Sequence, residues 1–145
     1  MVLYCYNCIT RVAFFRYRDY DVVICDRFLT AVPMFVDNLL RLGHITEFDR
    51  AVVMALLSDL RARLPTPDLS VYLKRSADWC LEKIKERSRV SELNTCNEGY
   101  IRGLVAEYEA KMPLVKPLFV MEKTELETIG DDLLTIIEDV LGARI

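Results

Sequence analysis

Leu69-Ser70-Val71-Tyr72-Leu73, then Lys74-Arg75, then Ser76-Ala77-Asp78-Trp79-Cys80-Leu81-Glu82-Lys83-Ile84-Lys85-Glu86-Arg87-Ser88-Arg89, is the stretch that decides the fold. Its first five residues form a short apolar run with a β-branched centre, as expected of a buried strand in a parallel sheet. Ser76 is a helix N-cap, and Ala77, Cys80, Leu81 and Ile84 share the inward face of the helix it opens. That helix becomes strongly basic at Lys83, Lys85 and Arg87, with Arg89 where it gives way to the polar residues 90–97, read as irregular.

Working outward, Val22-Val23-Ile24-Cys25 is a second uninterrupted apolar run, ended by Asp26-Arg27, and Leu118-Phe119-Val120-Met121 is a third. Between and around them lie helical periods over residues 2–17, 29–42 (interrupted by Pro33 and stopped by Gly43), 46–64 (capped by Thr46), 97–111 and 131–141. The order is α, β, α, α, β, α, α, β, α. Buried strands alternating with helices predict an α/β layer fold with a mainly parallel sheet.

The chain has 145 residues, enough for one domain, and 52% of them are apolar. Its formal charge of −3 excludes a general binder of nucleic acid or anionic membranes. No apolar run approaches the ~20 residues that span a bilayer. Five scattered cysteines, an odd number, read as reduced thiols of a soluble cytoplasmic protein. Cys5 and Cys8 form a C-x-x-C, but no second pair exists and His44 is the sole histidine, so zinc is not favoured. The five glycines fit neither G-x-x-x-x-G-K-[ST] nor G-x-G-x-x-G.

Two constellations can carry chemistry. Asp26-Arg27 follows an apolar run, where open α/β sheets bind ligands: an acid there can hold Mg²⁺ and an Arg can fork onto phosphate oxygens. The same pair also reads as an ordinary solvated strand exit. Lys83, Arg87 and Arg89 crowd one flank, with Lys83 and Arg87 one helical turn apart, and suit a visiting anion. Glu82 and Glu86 leave open a plain mixed-charge helix face.

Taken together, VVICDRF at 22–28, LSVYL at 69–73, SADWCLEKIKERSR at 76–89 and Glu92 occur in an order that resembles the deoxynucleoside kinase family. This family includes viral thymidine kinases and is related to thymidylate kinases. The resemblance covers nearly the whole chain, but only the part of the family that follows its first two strands. It implies a P-loop-kinase-like three-layer α/β fold with a parallel sheet, here with three short strands and about six helices. A single domain would span residues 1–145, with a lid at about 83–96.

By the same resemblance, Asp26 works near the metal and the reacting phosphate, and Arg27 contacts the 5′ end of the substrate. Lys83, Arg87 and Arg89 are the lid cations that clamp donor phosphates, with Lys83 standing where the family has Arg. Glu92 accepts from the sugar 3′-hydroxyl. Arg11, in Tyr6-Asn7-Cys8-Ile9-Thr10-Arg11, lies near the base, and Tyr4 stands where a Gln is usual. The implied ligands are ATP, Mg²⁺ and a deoxynucleoside such as thymidine, and family dimers use the helices corresponding to 29–42 and 46–64.

The family's phosphate loop and the Glu that acts as base on the 5′-hydroxyl have no counterpart in these residues. The chain by itself is therefore expected to be inactive or to need a complementing segment. The alternative is a non-catalytic kinase-like subunit acting by dimerisation or weak nucleotide binding. The family strand order also predicts that loss of a central strand lets 22–25 pair directly with 69–73.

Overall fold

The structure is a computed structural model that describes residues 22–64, 66–122 and 126–142. A 3-10 turn at Leu29–Ala31 leads into α1 (Val32–Arg41), followed by α2 (Glu47–Arg63), β1 (Ser70–Leu73), α3 (Ala77–Arg87) and α4 (Val90–Thr95). Then come α5 (Glu98–Lys111), a second 3-10 turn, β2 (Leu118–Met121) and α6 (Leu126–Gly142). The helix read at 2–17, with Tyr4, Cys5, Cys8 and Arg11, lies outside the described residues.

Local chemistry sets most boundaries. Pro33 does not interrupt its helix but sits in the first turn of α1, where a missing N–H costs nothing. At the other end Gly43, at φ +71°, donates to Leu40 O at 2.9 Å and His44 donates to Leu39 O at 3.0 Å. That pair of bonds is a Schellman closure, which needs the left-handed residue that glycine supplies cheaply. Thr46 and Asp49 form a reciprocal capping box: Asp49 N–H donates to Thr46 Oγ1 at 3.2 Å and Thr46 N–H to Asp49 Oδ2 at 2.8 Å. The side-chain and backbone hydrogen bonds from Thr46 hold the Asp49 carboxyl below its ordinary range. Thr46→Ala should cost about 1 kcal/mol, read as a lower thermal midpoint with unchanged helical circular dichroism at 20 °C.

Among the described residues, two apolar clusters stand out. Leu29, Val32, Val36, Val53, Leu57 and Leu60 join the first turn, α1 and α2, while Ala77, Ile84 and Ile101 join α3 to α5. Helix α1 belongs to both sides of the molecule, because it also packs on α5. Between them Asn38 is fully buried yet satisfied: Nδ2 donates to Tyr100 O at 3.1 Å and Oδ1 accepts from Arg41 Nη2 at 2.8 Å. Arg41 Nη2 also donates to Gly99 O at 2.9 Å, so two α1 side chains hook the first turn of α5. Asp37 makes a third link, accepting from Arg50 Nε of α2 at 2.6 Å and from Lys111 Nζ of α5.

β1 and β2 pair in parallel, with Ser70 opposite Leu118 and Leu73 opposite Met121, and α3, α4 and α5 form the crossover. The expected third strand is not formed. Residues 22–25 are exposed, Ile24 at 81%, and they join no ladder among the described residues. The anticipated pairing of 22–25 with 69–73 is likewise not formed: among the described residues β1 bonds to β2 alone. An apolar run becomes a strand only beside a strand whose N–H and C=O groups it can meet, and its composition does not supply one. Residues 90–97, expected to be irregular, hold α4, and α6 begins at Leu126 rather than 131. No helix among the described residues is long and apolar enough to cross a membrane.

Candidate functional site

The site begins where the strands stop. Lys74 N–H donates to Met121 O at 2.9 Å, so β1 and β2 stay together to their carboxyl ends. Ser76 then caps α3, its Oγ accepting from Trp79 N–H at 3.2 Å. Helix α3 ends at Ser88, which adopts the left-handed conformation (φ 50°) and donates from Oγ to Lys85 O at 2.7 Å. That reversal sends the chain directly into α4 and folds its first turn back against the end of α3.

Arg87 and Arg89 thereby converge on Glu92. Arg87 Nη2 lies 3.3 Å from Oε2, and Arg89 Nη1 lies 3.3 Å from Oε1. Glu92 is the more enclosed partner, its side chain 23% exposed against 53% and 65% for the two Arg side chains. Its Oε2 is shielded from solvent and accepts no hydrogen bond despite the nearby guanidinium. A carboxylate oxygen has acceptor capacity to fill, and a hydroxyl donor fits that need. The two guanidiniums offer the planar donor forks that match phosphate oxygens.

Lys83 is placed differently. Its Nζ pairs with Glu86 Oε2 at 2.6 Å, a hydrogen bond that raises the pKa of the ammonium, and it lies 5.9 Å from the Trp79 ring centre. Of the three basic residues singled out from the sequence, Arg87 and Arg89 share one acid, whereas Lys83, one turn earlier on the same side of α3, pairs with Glu86.

Asp26 and Arg27 sit just ahead of the first 3-10 turn. Asp26 is 87% exposed and lies 3.8 Å from Arg27 Nε, a loose pair. Arg27 holds φ 52°, which costs a non-glycine residue backbone energy, and its guanidinium stands 5.5 Å from the Phe35 ring centre. Beneath it the aromatic rings are layered: Phe35 meets Tyr108 edge-on at 6.1 Å, and Tyr108 stacks on Tyr72 of β1 at 5.7 Å.

Burial pushes the Tyr108 hydroxyl above its ordinary pKa, with Arg27 pulling it down and Asp26 pushing it up. Tyr100 is also raised, first by burial and then by Cys96, with Arg27 again opposing.

Asp26 offers one exposed carboxylate, and no cluster of three or more metal-capable side chains exists among the described residues. Such a donor set does not enclose a cation. It does suit Mg²⁺, which keeps most of its waters and takes one or two carboxylates plus substrate phosphates. Arg11 lies outside the described residues. Sequence reasoning did not single out the Phe35–Tyr108–Tyr72 stack or the Arg75–Trp79 contact as site features. Only the four-residue spacing of Arg75, Trp79, Lys83 and Arg87 signalled the latter.

A family model described as deoxynucleoside kinase matches residues 2–139. The chain belongs to the deoxynucleoside kinase family. Membership brings the P-loop kinase fold, whose α/β character the parallel β1–β2 pair and its helical crossover express here. It also brings kinase, transferase and nucleotide-binding character at family level, with nucleosides and nucleotides as the ligand classes. No curated protein and no solved structure matches the chain.

Proposed function

We propose that this deoxynucleoside kinase family chain binds ATP and a deoxynucleoside such as thymidine, with the α3–α4 corner taking the phosphates. The observation that carries the reading is the convergence of Arg87 and Arg89 on the enclosed Glu92 carboxylate. Incoming phosphate oxygens replace the carboxylate on the guanidinium forks, and Glu92, released, accepts from the sugar 3′-hydroxyl. Asp26 and Arg27 hold the 5′ end over the Phe35–Tyr108 stack, with Arg11 assigned to the base. Mg²⁺, when bound beside Asp26, would neutralise charge on the transferring phosphates.

The lid is residues 83–96 of a single domain, and the compartment is the cytoplasm. Phosphoryl transfer depends on positioning and electrostatic stabilisation, much of it from a phosphate loop that these residues do not spell. The chain is therefore read as a binder whose turnover needs a complementing segment. Calorimetry tests this. ATP should bind, Arg87→Ala should weaken it about tenfold, the weight of one charge-assisted contact, and Arg27→Ala should weaken thymidine while sparing ATP. Failure of ATP to bind, or equal ATP binding by Arg87→Ala, overturns the reading.

A second reading, a non-catalytic subunit that dimerises, is favoured by Phe48 and Val52. They lie one turn apart on α2 and are 76% and 48% exposed. The dimer would use the helices corresponding to 29–42 and 46–64, and light scattering decides between monomer and dimer.

A further inference from the structure

Trp79, the only tryptophan in the chain, is half-buried yet takes no part in the apolar cluster that α3 packs into. Helix α3 turns Ala77 and Ile84 inward, joined by Cys80 and Leu81. At 100° per residue, position 79 lies on the opposite side of the helix. A large aromatic there contributes nothing to the α3–α5 cluster. Instead two cations attend it: Arg75, just ahead of the Ser76 cap, with its guanidinium carbon 5.4 Å from the ring centre, and Lys83, one turn after, at 5.9 Å. Arg75 is fixed, because Nη1 donates to Lys74 O at 2.6 Å and reaches Met121 O at 3.4 Å. Lys83 is looser, with its side chain 42% exposed and Glu86 as its ion-pair partner. The neighbouring acid Asp78 is drawn away to Arg102 Nη2 at 2.6 Å.

Trp79, Lys83 and Arg87 are thus a ridge with one residue per turn of α3, with Arg75 just ahead of its Ser76 cap, running from the carboxyl end of β1 to the α3–α4 corner. From Trp79 to Arg87 the rise is about 12 Å, and from Lys83 to Arg87 about 6 Å. We propose that Trp79 is the stacking platform for the base of a nucleoside triphosphate whose phosphates lie at Arg87 and Arg89. This rests on the phosphate reading of the α3–α4 corner and adds to it the residue that holds the other end of the ligand. The anchored Arg75 backs the indole, and the base enters on the side of Lys83. The Lys83 ammonium leaves Glu86 and turns along the helix to the phosphates, which is how a residue one turn from Arg87 comes to share their charge. An indole face accepts any base, so the platform sets affinity and position more than base identity.

The chain's single tryptophan makes the test direct. Emission should change on titration with ATP, saturating at the affinity that calorimetry gives. Trp79→Ala should bind ATP about tenfold more weakly, and Trp79→Phe should recover most of the loss, since one base–aromatic stack has that weight. Tripolyphosphate, which has no base, should bind the parent chain and Trp79→Ala equally. Circular dichroism of the variants checks that α3 remains folded. If Trp79→Ala, folded, binds ATP as tightly as the parent, or if bound ATP leaves the emission unchanged, the platform is wrong. If tripolyphosphate fails to bind while ATP binds and alters the emission, the phosphate reading falls and the platform stands. If neither ligand binds, both fall.

Discussion

Gly103→Ala should destabilise the chain by about 3 kcal/mol, although alanine is the better helix former. A Cβ at 103 would lie 1.7 Å from Arg41 Nη2 and 2.3 Å from Asn38 Oδ1, so neither side chain can stay where it is. Arg41 is flexible in principle, but its guanidinium is engaged with both Asn38 and Gly99 O. Asn38 has no room at all, being fully buried between α1 and α5. Shifting it breaks the bond to Tyr100 O and strands a buried amide, at about 1–3 kcal/mol. Overpacking two helices adds about 1–3 kcal/mol, and the alanine helix preference returns at most about 1 kcal/mol.

Urea unfolding followed by circular dichroism reads the effect as a lower midpoint. Gly99→Ala is the control, because its Cβ would meet only Asn97 Oδ1 at 3.5 Å, and it should change the midpoint little. Arg41→Ala placed in the Gly103→Ala background should recover part of the loss, since the worst overlap disappears with the guanidinium. A Gly103→Ala midpoint at or above that of the parent chain would mean that α1 and α5 do not approach as described.

What the sequence discloses here is what is decided within a few residues. Thr46, Ser76 and Asn97 each accept a backbone N–H three residues on, so those helix starts were legible from residue type and spacing alone. The runs at 70–73 and 118–121 were legible as strands, yet Val22–Cys25 has the same composition and forms none. The difference is the neighbour, and no local pattern reports which strand lies beside which. Helix α4 was missed for a related reason. Val90–Thr95 is too short to show a period, and its Arg89 N-cap supplies no capping side chain.

The site divides along the same line. Arg87, Arg89 and Glu92 lie within six residues, and the left-handed Ser88 is enough to fold them together. Phe35, Tyr72 and Tyr108 come from α1, β1 and α5, so their stacking beneath Arg27 exists only once the crossover is closed. Gly103, one of five glycines in the sequence, gave no hint that two side chains of a distant helix occupy the place of its missing Cβ.

Asp37→Ala should cost about 2 kcal/mol near neutral pH, and the cost should fade in acid. Asp37 ties three helices: it accepts from Arg50 Nε of α2 at 2.6 Å and from Lys111 Nζ of α5, where Glu107 also pairs with Lys111. Burial by itself would raise the Asp37 carboxyl, but the hydrogen bonds from Arg50 and Lys111, with their charges, bring it below the ordinary carboxylate range. A folded-state pKa below the unfolded one means that the folded chain holds its proton less tightly. The resulting stability is fully present above the unfolded pKa, about 4, and is lost as pH falls through the lower folded value.

The alanine variant lacks that term at every pH. The two stability curves should therefore run parallel above about pH 5 and converge below about pH 4. Breaking a well-enclosed pair from one side costs about 3–5 kcal/mol, and the partial exposure of Arg50 and the remaining Glu107 partner for Lys111 bring the expectation down to about 2. Chemical denaturation at pH 7, 5 and 3 measures it. A gap between parent and variant that stays constant down to pH 3 would show that Asp37 acts through packing alone, and a gap that widens in acid would reverse the sign of its charge in the fold.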